Sequence, residues 1–176
     1  MKIISIDPGY ERLGIAIIEK EKTTKETLVY STCFKTSAKL PFTSRLRLIG
    51  DEIKRLIKKF SPSALAIETL LLSNNQKTAM RVSEVRGAIL YIATINNLKI
   101  YEYTPLAIKI ATTGYGKSTK NQIIAMIPRL IKIDTAKSGI NKKITHDDEY
   151  DAIAVGITCL ATDIKSLSTY PQLQKN

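Results

Sequence analysis

The chain has 176 residues, 44% of them hydrophobic and 24% charged, which is the composition of a globular protein and excludes a disordered tail. Lysine and arginine number 27 against 16 aspartate and glutamate residues, so the formal net charge is +11. A basic chain with enough apolar residues for a core most often binds a polyanion, with nucleic acid the first candidate and an acidic membrane surface the second. No apolar run approaches the roughly 18 residues of a spanning helix and no lipidation motif is present, so we expect no membrane partner.

Cysteine use and the start of the chain indicate the compartment. Cys33 and Cys159 are far apart and form neither a disulfide framework nor a zinc-binding spacing. The apolar stretch before Asp7 is too short for a secretory signal. We therefore expect a cytoplasmic protein in a reducing environment.

Five segments have the composition of β-strands. The first three, Lys2–Asp7, Leu13–Glu19 and Thr27–Phe34, are joined by short connections, which predict an antiparallel arrangement. An Asp-Pro-Gly sequence, a strong turn signal, closes the first of them. Ala64–Glu68 and Leu98–Tyr103 are the two later strands.

Helical periodicity alternates with the later strands. The predicted helices are 46–60, a long helix near 74–96 capped by Ser73 or Asn74, a short helix opened by Pro105, a helix near 118–131, and Asp147–Ile164. Loops are expected at 112–118 and 134–146. This order predicts one α/β domain over 1–164, with a mixed five-stranded sheet flanked by helices, and a flexible tail at 165–176.

Acidic residues stand at the ends of buried segments. Asp7 and Glu68 each end an apolar strand, and Asp148 and Asp151 share one face at the start of an apolar helix. Each has a structural alternative: a turn at Asp7, a lysine pair at Glu68, and favourable helix N-terminal acids near Asp148. Together they favour a hard divalent cation, which takes carboxylate oxygens as ligands. Two such ions about 4 Å apart can activate water and stabilise the leaving oxygen in phosphodiester hydrolysis.

The same residues carry a family resemblance. Ile-Asp-Pro-Gly at 6–9 with Gly14, Ala-Ile-Glu at 66–68, Arg-Gly-Ala at 86–88, Gly-Tyr-Gly-Lys-Ser-Thr-Lys at 114–120 and Asp-Glu-Tyr-Asp-Ala-Ile-Ala at 148–154 resemble the RuvC family of Holliday junction resolvases. The resemblance extends over the chain to about residue 162. It implies a ribonuclease H-like nuclease domain, a homodimer, and Mg²⁺-dependent paired nicking of four-way DNA junctions in recombination and repair.

The resemblance also assigns roles to individual residues. It implies that Asp7, Glu68, Asp148 and Asp151 are the catalytic acids and bind two Mg²⁺ ions, with Mn²⁺ as the alternative ion. It implies a branch-migration helicase as a further partner, and a place at the nucleoid, while a viral or organellar source stays open.

Lysines near the motifs are the candidate DNA contacts. The resemblance assigns such contacts to Lys109 and Lys120, and the alternative for both is an ordinary solvated charge. Lys120 is the stronger candidate because it follows a Gly-x-Gly loop into a helix N-terminus, a natural phosphate site. Lys117, in the same loop, is a weaker candidate.

Two positions depart from the family pattern. Leu71 stands where many members carry an aromatic wedge; it either inserts into the junction or packs in the core or a dimer contact. His146, the only histidine, precedes the last acids and is either an additional metal ligand or a surface residue.

The small residues of the long helix also have two interpretations. Glycine inside a helix costs about 1 kcal/mol relative to alanine, so Gly87 needs a reason. The resemblance implies a two-fold dimer contact, and the alternative is close packing of the helix on its own sheet.

Two other functions stay open at this point. One is a less selective nuclease of the same fold that cuts flaps and forks, which the departure at Leu71 leaves open. The other is a basic DNA-binding module without catalysis, whose acids only pair with lysines.

Overall fold

The structure is a computed structural model that describes residues 1–21, 25–70, 76–133, 144 and 146–162. Within these residues the elements in chain order are β1 (Lys2–Asp7), β2 (Arg12–Glu19), β3 (Thr27–Lys35), α1 (Phe42–Phe60), β4 (Ala64–Glu68), α2 (Gln76–Ile95), β5 (Lys99–Tyr103), α3 (Pro105–Thr113), α4 (Lys120–Leu130), β6 (Lys132–Ile133) and α5 (Asp147–Ala161).

The strands form one mixed sheet in the order β5-β4-β1-β2-β3-β6. β1, β2 and β3 are antiparallel neighbours, as predicted, whereas β4 runs parallel to β1 and β5 parallel to β4. The prediction of five strands is wrong, because the described residues contain a sixth strand, β6, parallel to the start of β3. A two-residue strand is too short to show any periodicity in the sequence.

Helices cover both faces of the sheet. One core cluster joins alternate strand residues such as Ile4 and Ile6 to α1 and α2. The other joins Ile3 and Ala16 to α3, α4 and α5. Because neighbouring residues of a strand point to opposite faces, these apolar runs fill two cores at once.

Small residues let α5 approach the sheet closely. A Cβ added to Gly14 would lie 2.0 Å from the carbonyl oxygen of Asp148, and one added to Gly156 would lie 2.5 Å from Ile18 Cδ1. Ala152 and Ala154 on α5 are fully or almost fully buried. The first turn of α5 therefore rests directly on the backbone of β2.

Several predicted boundaries change. α3 continues through Thr112 and Thr113, so the predicted loop starts only at Gly114, which ends the helix in the left-handed conformation with a φ of 76°. α5 ends at Ala161, before the predicted Ile164. The proposed caps Ser73 and Asn74, most of the loop at 134–146 and the tail at 165–176 lie outside the described residues. None of the helices in the described ranges has the length and hydropathy needed to span a membrane.

Candidate active site

The fold brings the four predicted acids to one edge of the sheet. Asp7 and Glu68 are the last residues of the neighbouring parallel strands β1 and β4, so both reach the same edge. Asp148 and Asp151 lie in the first two turns of α5, on the sheet face that carries Gly14, the register partner of Asp7. The spacing of these acids in the sequence could not show that they lie close together, because their proximity depends on α5 crossing the sheet beside β1.

The acids are close enough to affect one another's ionisation. Burial, followed by the charges of Glu68, Asp151 and Asp148, raises the pKa of Asp7 to about 7 against the opposing charge of Lys120. Burial, followed by the charge of Asp151, also raises the pKa of Glu68, although a hydrogen bond with Asp7 opposes the change. Burial likewise raises the pKa of Asp151. Burial first, and the charges of neighbouring acids second, therefore disfavour the ionised forms of these three carboxyl groups.

Lys120 is the cation nearest to this charge among the contacts described. Its Nζ donates a hydrogen bond to Asp151 Oδ2 at 2.8 Å and lies 3.6 Å from Asp147 Oδ2. Burial lowers the pKa of Lys120, but the hydrogen bond to Asp151 and the neighbouring carboxylates outweigh that effect, so its pKa is raised. The sequence offered a lysine pair as the alternative for Glu68, whereas in the structure Lys120 forms ion pairs with Asp151 and Asp147.

A cleft of about 260 Å³ opens beside the acids. Its lining comes from β4, α3, α4 and α5, and comprises Glu68, Pro105, Ile108, Lys109, Lys120, Ile123, Asp151 and Ala154. The two lysines predicted to contact DNA thus lie at the same cleft as two of the acids. The cleft combines oxygen ligands with positive charge, the pairing that phosphodiester cleavage needs.

The donor set fits a hard divalent cation. All four predicted ligands are carboxylates, and burial first and the neighbouring acids second raise the pKa values of Asp7, Glu68 and Asp151, an effect that a bound cation would oppose. No three acidic, histidine or cysteine side chains in the described part of the chain already stand in ligating positions. Side-chain rotation, beginning with the amine of Lys120 at Asp151, would have to accompany binding.

The other predicted site residues lie elsewhere. Lys117 is exposed in the loop before α4. His146 precedes α5, and its Nε2 lies 3.3 Å from Lys35 Nζ. Its role as a metal ligand stays a prediction. Leu71 lies outside the described residues, so its role also stays a prediction.

Sequence reasoning missed two neighbours of Asp148. Arg12 Nε lies 3.5 Å from Asp148 Oδ2, and Cys33 Sγ donates to the same oxygen at 3.4 Å. Both residues belong to strands far from Asp148 in sequence, and no local pattern marks them. Only the packing of α5 on β2 and β3 reveals the contacts.

The mixed sheet with antiparallel β1–β3, parallel β4 and β5, and acids at the strand ends is a ribonuclease H-like fold. The family model of the crossover junction endodeoxyribonuclease RuvC matches residues 3–159. The chain therefore belongs to the RuvC family, as the motifs indicated. Nucleases of this family are in general metal-dependent.

Relatives agree with this assignment over most of the chain. The RuvC of Thermosipho melanesiensis is 40% identical over 94% of this chain and 99% of its own length. That of Fusobacterium nucleatum is 37% identical over 90% of this chain and 79% of its own length. Thermus thermophilus RuvC in complex with a Holliday junction substrate is similar in structure, with a TM-score of 0.80 and 25% identity, covering 91% of this chain and 93% of that chain. The yeast mitochondrial Holliday junction resolvase, 13% identical over 90% of this chain and 77% of that chain with a TM-score of 0.66, shares the fold.

Proposed function

We propose that this chain resolves four-way DNA junctions as a metal-dependent endonuclease that makes paired symmetric nicks. One observation carries the proposal: in a RuvC-family chain, Asp7 and Glu68 end neighbouring strands, and Glu68 and Asp151 line a cleft together with Lys109 and Lys120. The relatives are crossover junction endodeoxyribonucleases, and one was captured on a Holliday junction.

In this mechanism Asp7, Glu68, Asp148 and Asp151 would hold two Mg²⁺ ions, for which Mn²⁺ could substitute. Such ions supply an activated water and charge stabilisation at the leaving oxygen. Lys120 leaves Asp151 and binds a phosphate near the cut, and Lys109 binds the same strand from α3. Both lysines offset the negative charge that develops on the phosphate.

We also propose a homodimer that joins through the outer face of α2. Met80, Tyr91 and Ile95 are exposed there at 67%, 67% and 52%. Gly87 lies on the same face, and a Cβ added to it would meet nothing within 4 Å. The alternative interpretation, that Gly87 allows α2 to pack closely on the sheet of its own chain, is therefore wrong. A two-fold dimer would place two active sites against two symmetric DNA strands.

A branch-migration helicase is a further proposed partner, implied by the family resemblance alone.

The direct test incubates the purified protein and Mg²⁺ with labelled four-way junction, fork and linear duplex. Paired nicks in the junction, dependent on Mg²⁺, support the proposal. Equal cutting of forks and flaps would favour the less selective nuclease. Metal-independent binding without any cutting would favour the DNA-binding module.

Lys120→Ala is expected to lower the dependence of junction binding on salt. Each neutralised phosphate contributes a slope of about −0.9 in log K against log salt, so one lost contact flattens the slope by about one unit. Cleavage should fall more than binding. Lys99→Ala is the matched control, because Lys99 begins β5 at the edge of the sheet opposite the acids. A slope equal to that of wild type would leave Lys120 as an ordinary surface charge.

Tyr91→Asp is expected to break the proposed dimer. A carboxylate placed within an apolar contact costs several kcal/mol unless it is paired, so dimer affinity should fall at least about tenfold. Sedimentation velocity over a concentration series measures the change. Leu48→Asp, at another exposed apolar residue on α1, should leave the dimer intact. A monomeric wild-type protein, or equal dissociation of both variants, would contradict the α2 interface.

A further inference from the structure

The start of α5 is attached to β3 by two side-chain pairs. Ser31 Oγ donates to Glu149 Oε2 at 2.9 Å, and Cys33 Sγ donates to Asp148 Oδ2 at 3.4 Å. Ser31 and Cys33 are two residues apart on β3, so both side chains project from the same face of the sheet. Two successive residues of α5 are thus held by two successive positions on one face of β3.

The first pair is an internal anchor of the helix. Glu149 is only 4% exposed and Ser31 only 7%, so this carboxylate is buried immediately beside the candidate metal ligand Asp148. Burying a carboxylate without hydrogen-bond partners is costly, so the hydrogen bond from the Ser31 hydroxyl stabilises the buried Glu149 carboxylate. The pair fixes the distance between α5 and β3.

The second pair acts on the acid itself. Cys33 and Gly14 are register partners, and the missing Cβ of Gly14 admits the backbone of Asp148 to the same place. Cys33 and Arg12 both approach Oδ2 of Asp148, at 3.4 and 3.5 Å. Arg12 is 53% exposed, so its contribution is screened by water, whereas Cys33 lies deeper. Both neighbours engage one oxygen of the carboxylate.

We infer that Cys33 is a positioning residue: its thiol orients the Asp148 carboxylate for the metal site, on a helix that the Ser31–Glu149 pair holds in place. The inference rests on the proposed function and names a part of that same site. Groups that hydrogen-bond a ligating carboxylate typically change metal affinity 10- to 100-fold when removed.

The test measures Mn²⁺ binding by calorimetry on the DNA-free protein, and separately the Mg²⁺ dependence of single-turnover junction cleavage. Cys33→Ala removes the donor and is expected to weaken Mn²⁺ binding about tenfold and to shift the Mg²⁺ requirement equally. Cys33→Ser retains a hydroxyl donor and should stay within about threefold of wild type. Junction affinity in EDTA should be unchanged in both variants, because the thiol faces the acid and not the DNA.

Cys159→Ala is the matched control for loosening of α5. Cys159 is fully buried on α5, near the end of the helix opposite to Asp148, and its side chain lies beside that of Tyr103. Equal Mn²⁺ affinity in wild type, Cys33→Ala and Cys159→Ala would overturn the positioning role, as would equal weakening in both alanine variants. Calorimetry does not depend on cleavage, so a wild type that binds Mn²⁺ but cuts no junction would refute the proposed function alone.

Discussion

Asp7→Asn is expected to abolish junction cleavage, reducing the single-turnover rate at least about a thousandfold, while junction binding stays intact or strengthens. The variant replaces one carboxylate oxygen of a proposed metal ligand with an amide NH2 group, and it also removes negative charge that would face the phosphates. Glu68→Gln and Asp151→Asn should behave in the same way. Gel-shift titration in EDTA and cleavage with Mg²⁺ separate the two effects.

The same variant is expected to stabilise the metal-free protein at neutral and higher pH. The folded protein holds the Asp7 proton up to a pKa of about 7, whereas the unfolded chain releases it near 3.8. Between these values the folded state binds more protons, so its stability falls as pH rises. The asparagine side chain does not ionise, so Asp7→Asn should gain a few kcal/mol above pH 7 and nothing below about pH 4.

Melting temperatures in EDTA at pH 4 and pH 8 test this expectation. Added Mg²⁺ should reduce the advantage of the variant, because only the wild type gains the full stabilisation of ion binding. Asp51→Asn, an exposed acid on α1 paired with Arg47, is the control and should show no such pH dependence. Equal melting of wild type and Asp7→Asn at pH 8 would mean that the acid cluster is already neutralised.

Gly14→Ala is expected to displace α5 and inactivate the protein. The new Cβ would lie 2.0 Å from the carbonyl oxygen and 2.8 Å from the carbonyl carbon of Asp148, and this backbone cannot rotate away as a side chain could. Overpacking of this kind costs about 1–3 kcal/mol or more. A shift of about 1 Å in the acids can also cost about 100-fold in rate.

Gly50→Ala on α1 provides the comparison, since its Cβ would approach only the end of the Ile92 side chain, at 3.3 Å. We expect it to retain activity and to melt near wild type. Chemical denaturation and single-turnover cleavage measure both variants. If Gly14→Ala were as active and as stable as Gly50→Ala, the close seating of α5 on β2 would be wrong.

Strand positions were the most predictable part of the fold. β1 and β4 begin and end where the sequence predicted, because a short apolar run closed by an acid or a turn signal marks both ends. Helix ends were less predictable: Thr112 and Thr113 resemble loop residues, yet their hydroxyls bond to carbonyls one turn earlier within α3. β6 carried no signal because two residues have no period.

The acids of the site were predictable, and their surroundings were not. A carboxylate that ends an apolar strand can be recognised in the sequence as a candidate site residue, because burying a lone carboxylate is costly unless a positive group pairs with it. The neighbours Cys33 and Arg12 look like ordinary strand residues until α5 is packed on them. The pKa of Asp7 depends on the same packing, because its burial, and after that the charges acting on it, come from other segments.

The late position of α5 in the chain has a consequence for synthesis. A ribosome that adds about 5–20 residues per second needs roughly 4–16 s to proceed from Glu68 to Asp148. During that interval the nascent chain has Asp7 and Glu68 but neither acid of α5, and Ile3 and Ala16 on the sheet face lack their cover. If the proposed site is correct, a product terminated before Asp148 would expose part of its apolar sheet face and would lack two of the four proposed catalytic acids, so it should not cleave DNA.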